Sequence, residues 1–153
     1  MRYRVVAVGP LKRGFFAEGC SHYLERLRAV RRVELIEVRA ARGVEPEVGR
    51  RREGAALLKR AKGHLVALDE RGQSWRSIDL ARHLAGLELR GINLISLLIG
   101  GAEGHPADLL NRADDRWSLS PLTLPHELAR LVLLEQLYRA EAIRAGHPYH
   151  REG

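Results

Sequence analysis

Apolar positions along the chain fall into two alternating rhythms. Short, nearly continuous apolar runs read as strands buried on both faces: "YRVVAV" (Tyr3–Val8), "VELIEV" (Val33–Val38), "HLVALD" (His64–Asp69) and "NLISLLIG" (Asn93–Gly100). Between them the apolar residues recur every three or four positions. "FFAEGCSHYLERLRAV" places Phe16, Cys20, Tyr23, Leu24 and Leu27 on one helical face. Pro46 opens a polar helix with Ala55, Leu57, Leu58 and Ala61 late in it, weakened by Gly49 and Gly54. "ERGQ" reads as a turn after the third strand. Ser77 is then expected to cap a helix reaching about Arg90, with Asp79 in the first turn where the helix dipole favours an acid. "GAEGHP" is a loop, a short helix starts at Pro106, "WSLS" is a short strand, and Pro125 starts the final helix. Strand and helix alternate about five times, which predicts an α/β fold, a parallel sheet with helices on both faces. No repeat, low-complexity tract or linker divides residues 1–153, so a single domain is expected.

The last helix is apolar on too many sides for a simple surface helix. Leu128, Leu131, Val132 and Tyr138 make one face, and Leu133, Leu134 and Leu137 another. Burial on two sides is expected, with a second copy of the chain in a homodimer as the economical cover. A central helix of a monomer is the alternative.

Charge adds a second layer. The net charge is +7, but residues 1–62 hold 16 basic and 7 acidic residues, whereas residues 63–153 hold 10 and 12. Nearly all the cations are Arg, whose planar fork suits phosphate oxygens. Such asymmetry suits a polyanion docked on the first half, or simply a solvated Arg-rich surface. The single cysteine, Cys20, excludes an internal disulfide and a cysteine metal cluster. No apolar run approaches the roughly 20 residues that span a bilayer, and the opening residues do not read as a secretory signal. A reduced cytoplasmic protein without membrane or metal is expected.

In parallel α/β sheets, ligands bind beyond the carboxyl ends of the strands. "LDERGQ", "IGGAEG" and "SLSPLTLPH" fall there. The glycines Gly100, Gly101 and Gly104 permit close backbone approach or positive φ, or serve a merely structural turn. The motif lacks the Lys-Ser/Thr of a phosphate-binding loop and the spacing of a dinucleotide fingerprint. The uncharged, proline-stiffened loop Leu119–Leu124 offers backbone donors and acceptors beside leucines. That suits a neutral ring such as adenine, or equally a tight turn with buried leucines. The tail "GHPYHREG" gathers His147, Tyr149, His150 and Arg151, able to move protons and hold phosphate, or a plain polar terminus. His22, His64, His83 and His105 are isolated and read as surface or structural residues.

Taken in order, "VAVGPLKRGFFAEGCSHYLERL", "ELIEV", "REGAALL", "VALDERGQSW", "SLLIGGAEG", "SLSPLTLPHELARLVLLEQLYRA" and "HPYHRE" resemble the RlmH (YbeA-like) family of SPOUT-class RNA methyltransferases over nearly the whole chain. The resemblance implies methylation of N3 of a pseudouridine in 23S rRNA of the large ribosomal subunit, with S-adenosyl-L-methionine as methyl donor. It also implies a homodimer and a deep C-terminal trefoil knot. Carried over by position, the cofactor contacts are Leu68, Gly100, Leu119, Ser120, Pro121, Leu122, Thr123 and Leu124. Tyr149, His150 and Arg151 fall on the catalytic side, reaching the pocket of the other subunit. Pro121 stands where the family has Ala or another residue with an N–H, so that amide donor is absent here. His105 replaces a more usual apolar residue. Lys12, Arg13, Arg50, Arg51 and Arg52 would meet rRNA phosphates, and Glu103 is a further candidate for orientation. Two other readings are a non-catalytic RNA-binding protein of the same fold and an α/β enzyme acting on a small metabolite.

Overall fold

The computed structural model describes residues 1–150. In chain order it runs β1 (Arg2–Gly9), α1 (Gly14–Arg28), β2 (Arg32–Arg39), α2 (Pro46–Arg60), β3 (His64–Ser74), α3 (Ser77–Leu89), β4 (Leu94–Ile99), α4 (Ala107–Arg112), β5 (Asp115–Ser118) and α5 (His126–Arg144). A 3-10 turn follows at Pro148–His150. The five strands form one sheet in the order β2-β1-β4-β3-β5, and every adjacent pair is parallel.

Alternation of side chains across the sheet builds two apolar layers. Tyr3, Val5 and Ala7 of β1 and Ile95, Leu97 and Ile99 of β4 face α1, α3 and α5, where Leu27, Leu84, Leu133 and Leu137 are fully buried. Val6, Val8 and Leu98 face the other way, against Leu57 of α2 and Leu109 and Leu110 of α4. β4 is buried at all six positions, which is why its sequence shows no alternation. Its one polar member, Ser96, is satisfied by donating to the Lys62 carbonyl at 2.6 Å and accepting from the Lys62 amide at 2.9 Å.

Several expected local features come out differently. Ser77 does not cap α3: the N-cap is Arg76, no side chain caps the helix, and Ser77 Oγ donates instead to Gln136 Oε1 of α5 at 2.7 Å. Tertiary packing on α5 outweighs the local cap. "ERGQ" does not end its strand. β3 continues to Ser74, with a register irregularity in which both Leu68 and Gln73 pair with Trp117. Pro106 and Pro125 are N-caps, one position before the helices they introduce. On α5, Leu133, Leu134 and Leu137 are buried, whereas Leu128, Leu131, Val132 and Tyr138 are half-buried in this single chain.

Candidate functional site

The helix that follows β4 packs on one face of the sheet, while those that follow β1, β3 and β5 pack on the other. Chain segments leaving the carboxyl edge therefore diverge on both sides of β4. Such divergence opens crevices, and ligands of parallel α/β sheets settle in them.

At the first of these places the carboxyl ends of β4, β3 and β5 come together. Ala67 is in register with Leu98, which brings Leu68 and Gly100 to neighbouring strand ends. Leu68 also pairs with Trp117, one residue from the start of the loop at Ser118–Leu119. The loop folds on itself: Ser118 Oγ donates to the Ser120 carbonyl at 2.9 Å, and the Leu122 amide donates to Ser120 Oγ at 3.0 Å. Thr123 Oγ1 donates to Glu70 Oε2 at 2.6 Å and ties the loop to the β3 excursion. Leu68, Leu119, Ser120 and Leu124 are half-buried, Pro121 and Thr123 exposed, and Leu122 is 74% exposed. The structure thus collects Leu68, Gly100 and residues 119–124 at one end of the sheet.

The turn beside them has no spare room. A Cβ on Gly100 would lie 3.1 Å from the Gly104 carbonyl carbon and oxygen and 3.3 Å from His105 Cε1. Gly104 has φ +75 and its amide donates to the Gly101 carbonyl at 3.1 Å, so glycine is required there by conformation. His105 is not a free surface group. Its Nε2 lies 3.0 Å from the Leu98 carbonyl, which fixes that nitrogen as the donor, and its Nδ1 is buried without a partner among the described residues. Burial lowers its pKa, against the opposing pull of the Leu98 hydrogen bond, so the ring is held neutral.

The second crevice lies on the other side of β4, between the ends of β1 and β2. It is a cavity of about 240 Å³, with Gly9, Lys12, Arg42, Glu53, Gly101 and His126 among its lining. Glu53 is 7% exposed although it sits on the Arg-rich α2. Its Oε2 accepts the Ala41 amide at 2.9 Å. Sequence reasoning did not find Glu53. Its one signal was an acid that follows the run Arg50–Arg52 and precedes Gly54, whose Cα packs on Pro106. Behind this cavity Arg130 is 1% exposed and pairs with Glu37 at 2.5 Å, while Glu127 accepts the Lys12 amide.

The tail is placed elsewhere. Tyr149 packs on the middle of α5: its ring lies 4.9 Å from that of Tyr138, Arg139 stands 4.8 Å over it, and its hydroxyl donates to Glu135 Oε1 at 3.1 Å. Glu135 is nine residues beyond the start of α5, so Tyr149 sits roughly 13 Å or more along the helix from the 119–124 loop of its own chain. Burial, aided by Tyr23 and Glu135, pushes the Tyr149 hydroxyl well above its usual range, so it acts here as a donor. Arg151 and the side chain of His150 lie outside the described residues. Among the described residues no group of three or more His, Cys, Asp or Glu could hold a metal ion, and no helix is long and apolar enough to cross a membrane.

A family profile described as "Predicted SPOUT methyltransferase" matches residues 1–150. A protein of Rubrobacter xylanophilus named ribosomal RNA large subunit methyltransferase H is 48% identical, the match covering 97% of this chain and 98% of the relative. Proteins of the same name from Alkalilimnicola ehrlichii and Gloeobacter violaceus are 46% and 43% identical, covering 99% and 98% of this chain and 99% of each relative. With matches that run end to end across the sheet, the glycine turn and the proline loop, the chain belongs to the SPOUT methyltransferase family.

Proposed function

We propose that this protein is an S-adenosyl-L-methionine-dependent methyltransferase acting on large-subunit ribosomal RNA, at N3 of a pseudouridine. The observation that carries the reading is the convergence of Leu68, Gly100 and the uncharged loop 119–124 at the carboxyl end of β4, in a chain related end to end to rRNA methyltransferases. The crevice fits the cofactor. Leucines supply apolar walls, and the loop backbone, beside the glycine turn at Gly100, supplies hydrogen-bonding groups without charge. When bound, S-adenosylmethionine supplies an electrophilic sulfonium methyl group.

The chain's own residues contribute position. The Thr123–Glu70 bond and the internal bonds of Ser118 and Ser120 hold the loop in one conformation, which lowers the ordering cost of binding. Exposed Lys12, Arg13, Arg51 and Arg52, with half-buried Arg50, supply phosphate contacts on the side where α2 and the β1 loop meet. In the homodimer of this reading, the half-buried Leu128, Val132 and Tyr138 on α5 and the exposed Phe15 on α1 pack against the partner. Tyr149, His150 and Arg151 then act on the partner's crevice, and residues 119–124 form part of a trefoil knot.

Mass spectrometry of rRNA from a deletion strain tests the reaction. One methyl group on a large-subunit pseudouridine is lost and returns with the wild-type gene; an unchanged methylation pattern refutes it. Calorimetric titration with S-adenosylmethionine separates an enzyme from a non-catalytic RNA-binding protein, for which no heat of binding is expected.

A further inference from the structure

The cavity bounded by the ends of β1, β2 and β4 is separate from the residues assigned to the cofactor, and it contains a buried carboxylate with work left to do. Glu53 Oε2 is occupied by the Ala41 amide. Its Oε1 receives no hydrogen bond from any described residue, and it lies 2.8 Å from where a Cβ would stand on Gly101. Glu53 lines the cavity, and a carboxylate oxygen accepts rather than donates, so the ligand group this oxygen can hold is an N–H or O–H.

Size and shape narrow the ligand. About 240 Å³ falls below the roughly 300–1,000 Å³ of pockets that enclose a drug-sized molecule, so a single ring fits and a second nucleoside cofactor does not. Gly9, Gly49 and Gly101 are part of the lining, so backbone borders the cavity there. Exposed Lys12 and Arg42 line the cavity together with exposed Glu45 and Glu103, and the two cations are the groups there that can meet phosphates flanking an inserted nucleotide. The slot shares β4 and the glycine turn with the cofactor crevice: Gly100 serves one side and Gly101 the other. A two-substrate transfer requires two such neighbouring sites.

We infer that this cavity receives the target base and that Glu53 Oε1 accepts the N1–H of pseudouridine, which makes Glu53 a specificity-determining residue. The inference rests on the methyltransferase reading above. Pseudouridine joins its ribose through carbon and so carries two ring N–H groups, N1–H and N3–H. Uridine presents C–H at the position of N1. With N3 as the site of methylation, N1–H is the donor that remains to be read. Uridine in the slot would leave Glu53 Oε1 buried and unpaired, which is how a polar site rejects an analogue lacking a hydrogen-bonding group.

The test uses the full-length protein and Glu53→Gln, whose amide oxygen retains an acceptor for Ala41 while an NH₂ replaces Oε1. Methyl transfer is measured on large-subunit rRNA carrying pseudouridine at the target and on the same RNA carrying uridine. Cofactor affinity is measured in parallel. Wild type prefers pseudouridine; Glu53→Gln keeps its cofactor affinity and loses about 10- to 100-fold in kcat/KM on the pseudouridine RNA, the worth of one hydrogen bond to a charged group, with little change on uridine. Equal losses on both RNAs, or none, overturn the inference, because a merely structural role does not distinguish the bases. A second measurement follows the Gly9, Ala41 and Gly101 amide resonances while pseudouridine nucleoside is added. Shifts in wild type that vanish in Glu53→Gln uphold the slot even if wild type methylates neither RNA, an outcome that would remove the reaction alone. Absence of shifts in wild type overturns the slot and leaves the reaction standing.

Discussion

Adding one carbon at Gly100 is a sharp probe of the glycine turn. In Gly100→Ala the new Cβ meets the Gly104 carbonyl group at 3.1 Å and His105 Cε1 at 3.3 Å. Neither neighbour recedes freely. Gly104 is paired with Gly101 across the turn, and His105 is held by the Leu98 carbonyl at 3.0 Å. Gly100 itself does not have positive φ, so contact alone sets the cost. A few tenths of an ångström of displacement in a bonded turn corresponds to mild overpacking, about 1–2 kcal/mol. For a domain of this size that lowers Tm by about 2–8 °C. Gly86→Ala is the control. It lies inside α3 with no atom within 4 Å of its Cβ position, and it should stabilise the helix by about 0.5–1 kcal/mol. Scanning calorimetry reads both changes, and titration with S-adenosylmethionine reads the site: Gly100→Ala weakens cofactor binding and Gly86→Ala does not. If Gly100→Ala melted at or above wild type and bound cofactor with unchanged affinity, the turn would be neither tight nor part of the site.

Glu88 is held at about 2, first by its hydrogen bond from the N-terminal ammonium and further by Arg144 and Arg31, against a desolvation effect of opposite sign. A lowered folded pKa gives stability that is present above the ordinary value of 4.5 and lost as pH falls towards 2. Urea melts across that window should therefore show a steeper acid loss for wild type than for Glu88→Gln. The Arg130–Glu37 pair should respond asymmetrically. Glu37→Leu strands a guanidinium 1% exposed and costs about 3–5 kcal/mol, whereas Arg130→Met leaves a carboxylate with 41% side-chain exposure that rehydrates and costs less; equal values by chemical denaturation would refute the account. Arg51→Ala with Arg52→Ala should weaken rRNA binding and reduce the log–log salt slope by about 1–2; an unchanged slope would take these exposed residues off the RNA.

Much of the architecture was legible in the residues because it depends on local periodicity. Continuous apolar runs announced the buried strands β1 and β4, whereas β2, at the sheet edge, buries only Val33 and Val38, and the double apolar face of α5 anticipated a buried Leu133–Leu137 side beside a half-buried Leu128–Tyr138 side. The segments at the strand ends were likewise visible as Gly100 and the charge-free loop 119–124. The misses share a cause. Ser77 looks like a cap until Gln136, 59 positions away, offers its hydroxyl a partner. "ERGQ" looks like a turn until β5 supplies a strand on which both flanks can pair.

The sequence by itself determined the alternation of strand and helix, the apolar stripe of the helix after β1 and the double apolar face of the last helix, and the separation of a basic first half from a near-neutral second. Those follow from patterns within a few residues. The strand order, and with it the two crevices that flank β4, was decided by tertiary structure. Glu53 is an ordinary helical acid until Ala41 caps one of its oxygens and Gly101 brings the edge of β4 beside the other. Tyr149 is an ordinary tail residue until Glu135 and Arg139 hold it against α5. Burial and pairing between positions distant in sequence are long-range quantities, and no local pattern encodes which distant group will complete a carboxylate.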